Sequence, residues 1–301
     1  MSAANPLSRA RLRSIFHPTD LSAGSEVAFV HALRIALITG AQLNILHVAP
    51  RREVTHGDFP GVRATLERWG LLPPGSPTSA VERLGIGVRK SVVDSRSPVE
   101  ASLEFLERHP ADFIVLAVHQ YEGRMAWLEE RVGEPIARGA GEMTLFIPHG
   151  VPGFVSPATG AISLRNVIVP VAWEPSAQPA AEAAMLLIEN LGVSSGTLNT
   201  LHAGSGNGAP SVKVPSQPGW DVHDLVTDGE PSEVIVKTAE DTAADLVVMT
   251  SEGPRGFLDA LRGSTLQRVL RRVRCPVMSL SSDQWMSRVR QFWAQPTPPH
   301  P

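Results

Sequence analysis

The chain is written twice. GAQLNILHVAP (40–50) lines up with SGTLNTLHAGS (195–205), PVEASLEFLERHPADFIVLAVH (98–119) with PSEVIVKTAEDTAADLVVMTSE (231–252), and IFHPTD (15–20) with VIVPVA (167–172). A repeat this long is a domain rather than a short solenoid unit. Each half must therefore bury its own apolar surface, and both halves must do so in the same way. The offsets differ because the first half carries more residues between its second and third strand candidates.

Within each half the pattern alternates between strand and helix. The first half offers RSIFHPT, AQLNILHVA, GVRKSVVD, DFIVLAV and MTLFIP as strands; the second offers NVIVPVA, TLNTLHA, WDVHDLV, DLVVMT and CPVMSL. These runs are short, aliphatic and apolar on both alternations, as in a parallel sheet covered on both faces. Between them lie helical patterns. One runs from Ser22 to Ile38, with Ser22 as its expected N-cap and Gly40 as its stop. Another spans Pro98 to Arg108. Strand, helix and strand in succession give right-handed crossovers. The expected fold is α/β: two tandem doubly wound five-stranded parallel sheets. The expected domains are 1–150 and 164–282. A linker rich in Gly, Pro and Ser (151–163) joins them, and an amphipathic tail (283–301) follows. In that tail Trp285, Val289, Phe292 and Trp293 share one helical face, which asks for a partner on the same chain or another.

Composition narrows the function classes. A net charge of −3 gives no general attraction to nucleic acid or acidic membrane. The lone cysteine, Cys275, excludes a disulfide framework and suits a reducing compartment. No apolar run reaches the roughly 18 residues of a membrane span, and MSAANPLSRARLRS lacks the apolar core of a signal peptide. The expected location is the cytoplasm.

The stretch DLVVMTSEGPRGFLDALRGSTLQRVL (245–270) carries the chemistry. A strand ends at Thr250, glycines follow at Gly253, Gly256 and Gly263, and Ser264 with Thr265 opens a helix. Ligands of doubly wound sheets sit beyond the carboxyl ends of the strands. Glycines let backbone N–H groups turn toward a phosphate, and a helix start adds unpaired donors. The same residues also fit a plain cap, because Ser264 and Gln267 have capping-box spacing.

IFHPTDLSAGSEVAFVHALRIALITGAQLNILHV and ADLVVMTSEGPRGFLDALRGSTLQRVLRRVRCPVMSL resemble the opening and closing halves of the universal stress protein family, here in tandem. The resemblance covers nearly the whole chain. It implies the adenine nucleotide alpha hydrolase-like fold, pairing of the two halves through their last strands as an intrachain pseudo-dimer, and ATP as cofactor. A homodimer is a further assembly within its scope. ATP-binding members carry glycine, two residues, glycine, nine residues, then glycine and Ser or Thr. Gly253, Gly263 and Ser264 match the later part, Thr250 stands where the first glycine belongs, and Thr265 falls on a further phosphate contact. Val171, Ala203 and Met249, at neighbouring strand ends, complete the implied contacts in the second half.

An aspartate that ends the first strand also serves nucleotide in those members. Asp20 matches it in the first half, but Ala172 stands there in the second. Conversely, the first half has Gln120, Glu130 and Arg131 where the second has Gly253, Gly263 and Ser264. A carboxylate at Glu130 would repel phosphate. The first half is therefore read as a non-binding pseudo-domain and the second as a weakened site. The lost contact costs about 1–2 kcal/mol, or about tenfold in affinity.

The remaining candidates read as structural. His47 and His202 occupy matching strand positions and are expected to be core residues with hydrogen-bonded rings. His17 and His119 lie near strand ends and His56 in a loop. Arg268, Arg271, Arg272 and Arg274 form a basic helix face expected to be solvated. No catalytic residue and no metal ligand is assigned. The expected function is a non-enzymatic stress-response protein that binds ATP weakly in the second domain. The alternative is a nucleotide-free interaction module acting through the C-terminal helix and the pseudo-dimer surface. An adenylating enzyme is disfavoured, since its phosphate-loop and paired-histidine motifs are missing.

Overall fold

The computed structural model describes residues 12–49, 55, 57–118, 133–205, 209–251, 264–283 and 285–286. Its strands are β1 (Ser14–Pro18), β2 (Gln42–Ala49), β3 (Val88–Asp94), β4 (Phe113–Val118), β5 (Met143–Pro148), β6 (Asn166–Val171), β7 (Gly196–Ala203), β8 (Trp220–Thr227), β9 (Leu246–Ser251) and β10 (Val277–Ser281). The helices are α1 (Glu26–Thr39), α2 (Val62–Arg68), α3 (Ser79–Glu82), α4 (Pro98–Arg108), α5 (Gly133–Ala140), α6 (Gln178–Asn190), α7 (Pro231–Asp241) and α8 (Thr265–Leu270). All ten expected strands form, with ends shifted by a residue or two. The extra length in the first half is α2 and α3, between β2 and β3.

The strands make one continuous ten-stranded sheet in the order β3-β2-β1-β4-β5-β10-β9-β6-β7-β8. Each half is parallel, and the halves meet at one antiparallel pair, with Val277 opposite Phe146, Met278 opposite Leu145 and Ser279 opposite Thr144. The last strands therefore pair as expected. The reversal has a geometric consequence: the carboxyl ends of β1 and β4 face one edge of the sheet, and those of β6 and β9 face the opposite edge.

Both faces of the sheet are covered. On one, Ile15, Leu43, Val115, Val169, Leu198 and Val248 pack with Phe29 and Leu33 of α1 and Ala180, Ala184 and Ile188 of α6. On the other, Phe16, Leu46, Ile114, Ile168, Leu201 and Val247 pack with Phe105 of α4, Ile235 of α7 and Val269 of α8. The edge strands depart from the expected double burial. In β8 most residues after Trp220 are exposed, and Asp221 and Asp224 there blunt an edge that could otherwise pair with another chain.

Local chemistry sets the helix ends. Gly40 stops α1 in the left-handed conformation, φ 68°, with its N–H on the Ala36 carbonyl. Ser97 caps α4 by accepting from the Glu100 N–H, with Pro98 at the first position. Ser22 makes no side-chain cap, contrary to expectation. A 3-10 turn (Ala23–Ser25) precedes α1, and Asp20 supplies the acceptor: its Oδ1 takes the Ser22 N–H at 2.9 Å.

Segment 151–163 joins β5 to β6 and is packed rather than loose. Phe154 and Val155 are buried, and their N–H groups donate to Nε2 of His31 at 3.0 and 3.1 Å. Trp69 Nε1 donates to the Pro157 carbonyl at 3.0 Å. Gly160 has φ +68°, and the Trp69 ring stands 2.6 Å from where a Cβ would be, so that position requires glycine.

At the far end, Ser282, Asp283, Trp285 and Met286 are helical. Trp285 is buried in the core shared with α6, and its Nε1 donates to Glu182 Oε2 at 2.6 Å. The tail thus docks on its own chain at that residue; Val289, Phe292 and Trp293 lie outside the described residues. Glu182→Ala should cost about 1–3 kcal/mol through the stranded indole N–H, and a red shift of tryptophan emission at neutral pH checks the undocking. Among the described residues no helix is long and apolar enough to cross a membrane.

Candidate functional site

The second half has its topological switch point between β6 and β9. The chain leaves β6 through α6 to reach β7 on one side, and returns through α7 to β9 on the other. Adjacent connections diverge there and leave a crevice beyond the strand ends. Val171 ends β6, Ala203 ends β7, and Met249 with Thr250 lies near the end of β9. The pairing of Val171 with His202, and of Val167 with Leu246, places all four at one edge of the sheet. Gly253, Gly256 and Gly263 lie outside the described residues.

Ser264 acts as a cap. It has extended backbone, and its Oγ accepts from the Gln267 N–H at 3.2 Å before α8 begins. Thr265 Oγ1 accepts a long contact from Arg268 at 3.5 Å. The cap takes one backbone donor of the first turn, the Gln267 N–H, while the Thr265 contact is made by its side chain alone. Thr250 differs: its Oγ1 is buried and has no hydrogen-bond partner among the described residues. A buried hydroxyl left so is uncommon, and it stands where the resemblance implies a nucleotide contact.

Ala172 is exposed and offers no carboxylate. The carbonyl just before it is braced. His202 Nδ1 lies 3.1 Å from the Val171 oxygen, and His47 Nδ1 lies 2.8 Å from the Thr19 oxygen in the first half. A ring nitrogen facing a carbonyl must carry the proton, so both histidines donate and hold the first strand's end in place. That is the structural role expected of them.

Asp20 stands apart from the other predicted site residues, at the opposite edge of the sheet. Its Oδ1 accepts from the Ser22 N–H and, at 2.5 Å, from Ser25 Oγ. The carboxylate thereby caps the start of α1. Gln120, Glu130 and Arg131 lie outside the described residues, as do His56 and His119. Nearby, His17 is fully buried, donates to the Val115 carbonyl at 2.8 Å, and is pushed down to about 4 by burial.

Some residues were not singled out in the sequence. Asp112 Oδ2 accepts from the N–H groups of Arg13 and Ser14, and Asp245 Oδ2 does the same for Arg165 and Asn166. The pair staples the amino end of the first strand in each half. Its signal was present as the matched Ala-Asp of PADF and AADL. Trp173, directly after Ala172, is the most exposed large apolar side chain among the described residues. The basic face is partly tied down: Arg268 pairs with Glu230 at 3.0 Å and Arg272 with Glu233 at 3.6 Å. Cys275 is buried, and burial pushes its thiol up to about 12, which makes it unreactive.

A duplicated, doubly wound α/β chain with a strand-order switch point in each half is the class these features define. The universal stress protein family model matches residues 12–148 and 167–280, and the chain belongs to that family. A universal stress protein of Methanocaldococcus jannaschii is 36% identical over 66 residues, which are 22% of this chain and 39% of that relative. The chain thus spans well under half the length of the curated relatives it matches. Among solved structures, a universal stress protein from Archaeoglobus fulgidus superposes with a TM-score of 0.60 at 19% identity, over 92% of this chain and 98% of its own. A functionally unknown protein from Pseudomonas aeruginosa PAO1 gives 0.57 at 15% identity, over 97% of this chain and 100% of its own. At these identities the two structures speak for the fold.

Proposed function

We propose that this chain is a non-enzymatic cytoplasmic stress-response protein that binds an adenine nucleotide, ATP, weakly and at the second half alone. One observation carries the reading. Val171, Ala203, Met249 and Thr250 converge at the β6–β9 switch point, where the sequence runs on through Gly253 and Gly263 to Ser264. The Thr250 hydroxyl, without a hydrogen-bond partner among the described residues, fits a bound polar ligand there. The six contact positions Val171, Ala203, Met249, Thr250, Ser264 and Thr265 carry no titratable side chain, which supports reading the site as one for binding.

The interaction-module reading is the weaker one. Its pseudo-dimer surface is consumed within the chain by the β5–β10 pairing, and Trp285 of its C-terminal segment is docked on Glu182.

The test is to denature the purified chain and look for released adenine nucleotide by mass spectrometry, then to titrate ATP by calorimetry. Gly263→Glu gives the second half the residue that the first half carries. The expected result is binding heat in the wild type that disappears in this variant. No heat at millimolar ATP would overturn the reading.

A further inference from the structure

We propose that Trp173 is the base-stacking residue of the second half's cleft, so that this site recognises a planar purine by ring contact where the first half retains a carboxylate. The proposal rests on the nucleotide reading above. Trp173 is 69% exposed, whereas Trp69, Trp220 and Trp285 are 9%, 8% and 2% exposed. The fold can bury indole rings, and it leaves this one out. Its place is specific. It stands two residues beyond the end of β6, on the first strand of the half, at the switch point where a ligand of such a sheet sits.

The surroundings favour a flat, partly apolar ligand. Ala172 replaces the carboxylate with a methyl group, so that position itself supplies no ionised acceptor. Val171, His202 and Val226 follow one another in a single register row across β6, β7 and β8, and Val226 is itself exposed. On the other side, β9 brings Thr250, whose hydroxyl is buried and has no hydrogen-bond partner among the described residues. An exposed indole ring and an exposed valine, over a row whose Val171 is buried in the core, match the apolar face of a heteroaromatic base. Indole on base is a sequence-tolerant contact that needs no carboxylate. A second protein as occupant would call for a contiguous apolar patch; among the described residues the other exposed large apolar side chains, Leu71, Val222 and Met286, belong to a helix end, an edge strand and the tail.

The experiment uses the full chain with two probes, ATP and inorganic tripolyphosphate, which has no base. Trp173 is exposed, so substitution should leave the fold intact, and unfolding curves check this. Trp173→Ala should weaken ATP about tenfold and leave tripolyphosphate unchanged. Trp173→Phe should bind ATP within a few-fold of wild type, and the quenching of tryptophan emission by ATP should vanish in it. ATP binding at wild-type strength in Trp173→Ala would overturn this proposal alone. Equal losses for ATP and tripolyphosphate would also overturn it, as a structural role. A wild type that binds neither probe would bring down both this proposal and the nucleotide reading.

Discussion

His31→Ala should lower the stability of the chain by about 3–6 kcal/mol. The His31 ring sits in the middle of α1, buried, with Nδ1 on the Val27 carbonyl at 2.7 Å. Its Nε2 accepts two backbone N–H groups at once, from Phe154 and Val155. Alanine leaves both donors buried without an acceptor, at about 1–3 kcal/mol each. It also opens a gap against the Phe154 ring, whose centroid lies 4.7 Å from that of His31 in an edge-on contact. Urea unfolding measures the loss; a change under 1 kcal/mol would contradict it.

The same residue makes the fold acid-sensitive. Burial lowers His31 from 6.5 to about 4, and His17 likewise. The unfolded chain takes up a proton at each site as pH falls below about 6.5, while the folded chain stays neutral until about 4. Stability is therefore full above pH 6.5 and is lost progressively between 6.5 and 4. Each histidine contributes roughly 3–4 kcal/mol across that window. The slope of stability against pH should flatten in His31→Ala, because one of the two titrations is gone.

Phe146→Ala should cost about 3–5 kcal/mol and should divide one unfolding transition into two. Phe146 is buried in β5, directly opposite Val277 of β10 at the antiparallel junction of the described sheet, and it packs into the core formed with Val247 and Ile168. The remaining junction pairs, Leu145 with Met278 and Thr144 with Ser279, are few, so truncating the largest side chain weakens the coupling between halves disproportionately. Far-ultraviolet dichroism and tryptophan emission should give coincident urea curves in the wild type and separated curves in the variant. Coincident curves in the variant would show that the halves are coupled elsewhere, with the His31 contact to the connector the first place to look.

Much of this architecture was legible in the sequence because its causes are local. Runs such as NILHV and LVVM are apolar on both alternations, and only a covered parallel strand accommodates that. Gly40 and Pro98 mark helix ends by backbone geometry alone. The repeat did the rest, since a strand read in one half could be checked in the other.

What escaped the sequence reading depends on partners far away in the chain. Asp20 matches the family's aspartate from its place after β1, and the fold adds a role that residue type alone does not show, since its carboxylate caps the start of α1 through Ser22 and Ser25. Segment 151–163 reads as a linker because Gly, Pro and Ser dominate it; its rigidity comes from His31 and Trp69, some ninety or more positions earlier. Ser22 reads as a cap by residue type, but an acceptor two residues earlier had already taken that role. Residue types give the list of donors and acceptors, and only the fold assigns which meet.

One nucleotide site on a chain of two halves is the proposed arrangement. A calorimetric count of ATP on the full chain tests this most directly. It predicts one weak site per chain, abolished by Gly263→Glu and unchanged by Asp20→Ala. Two sites per chain, or a site lost with Asp20→Ala, would contradict it.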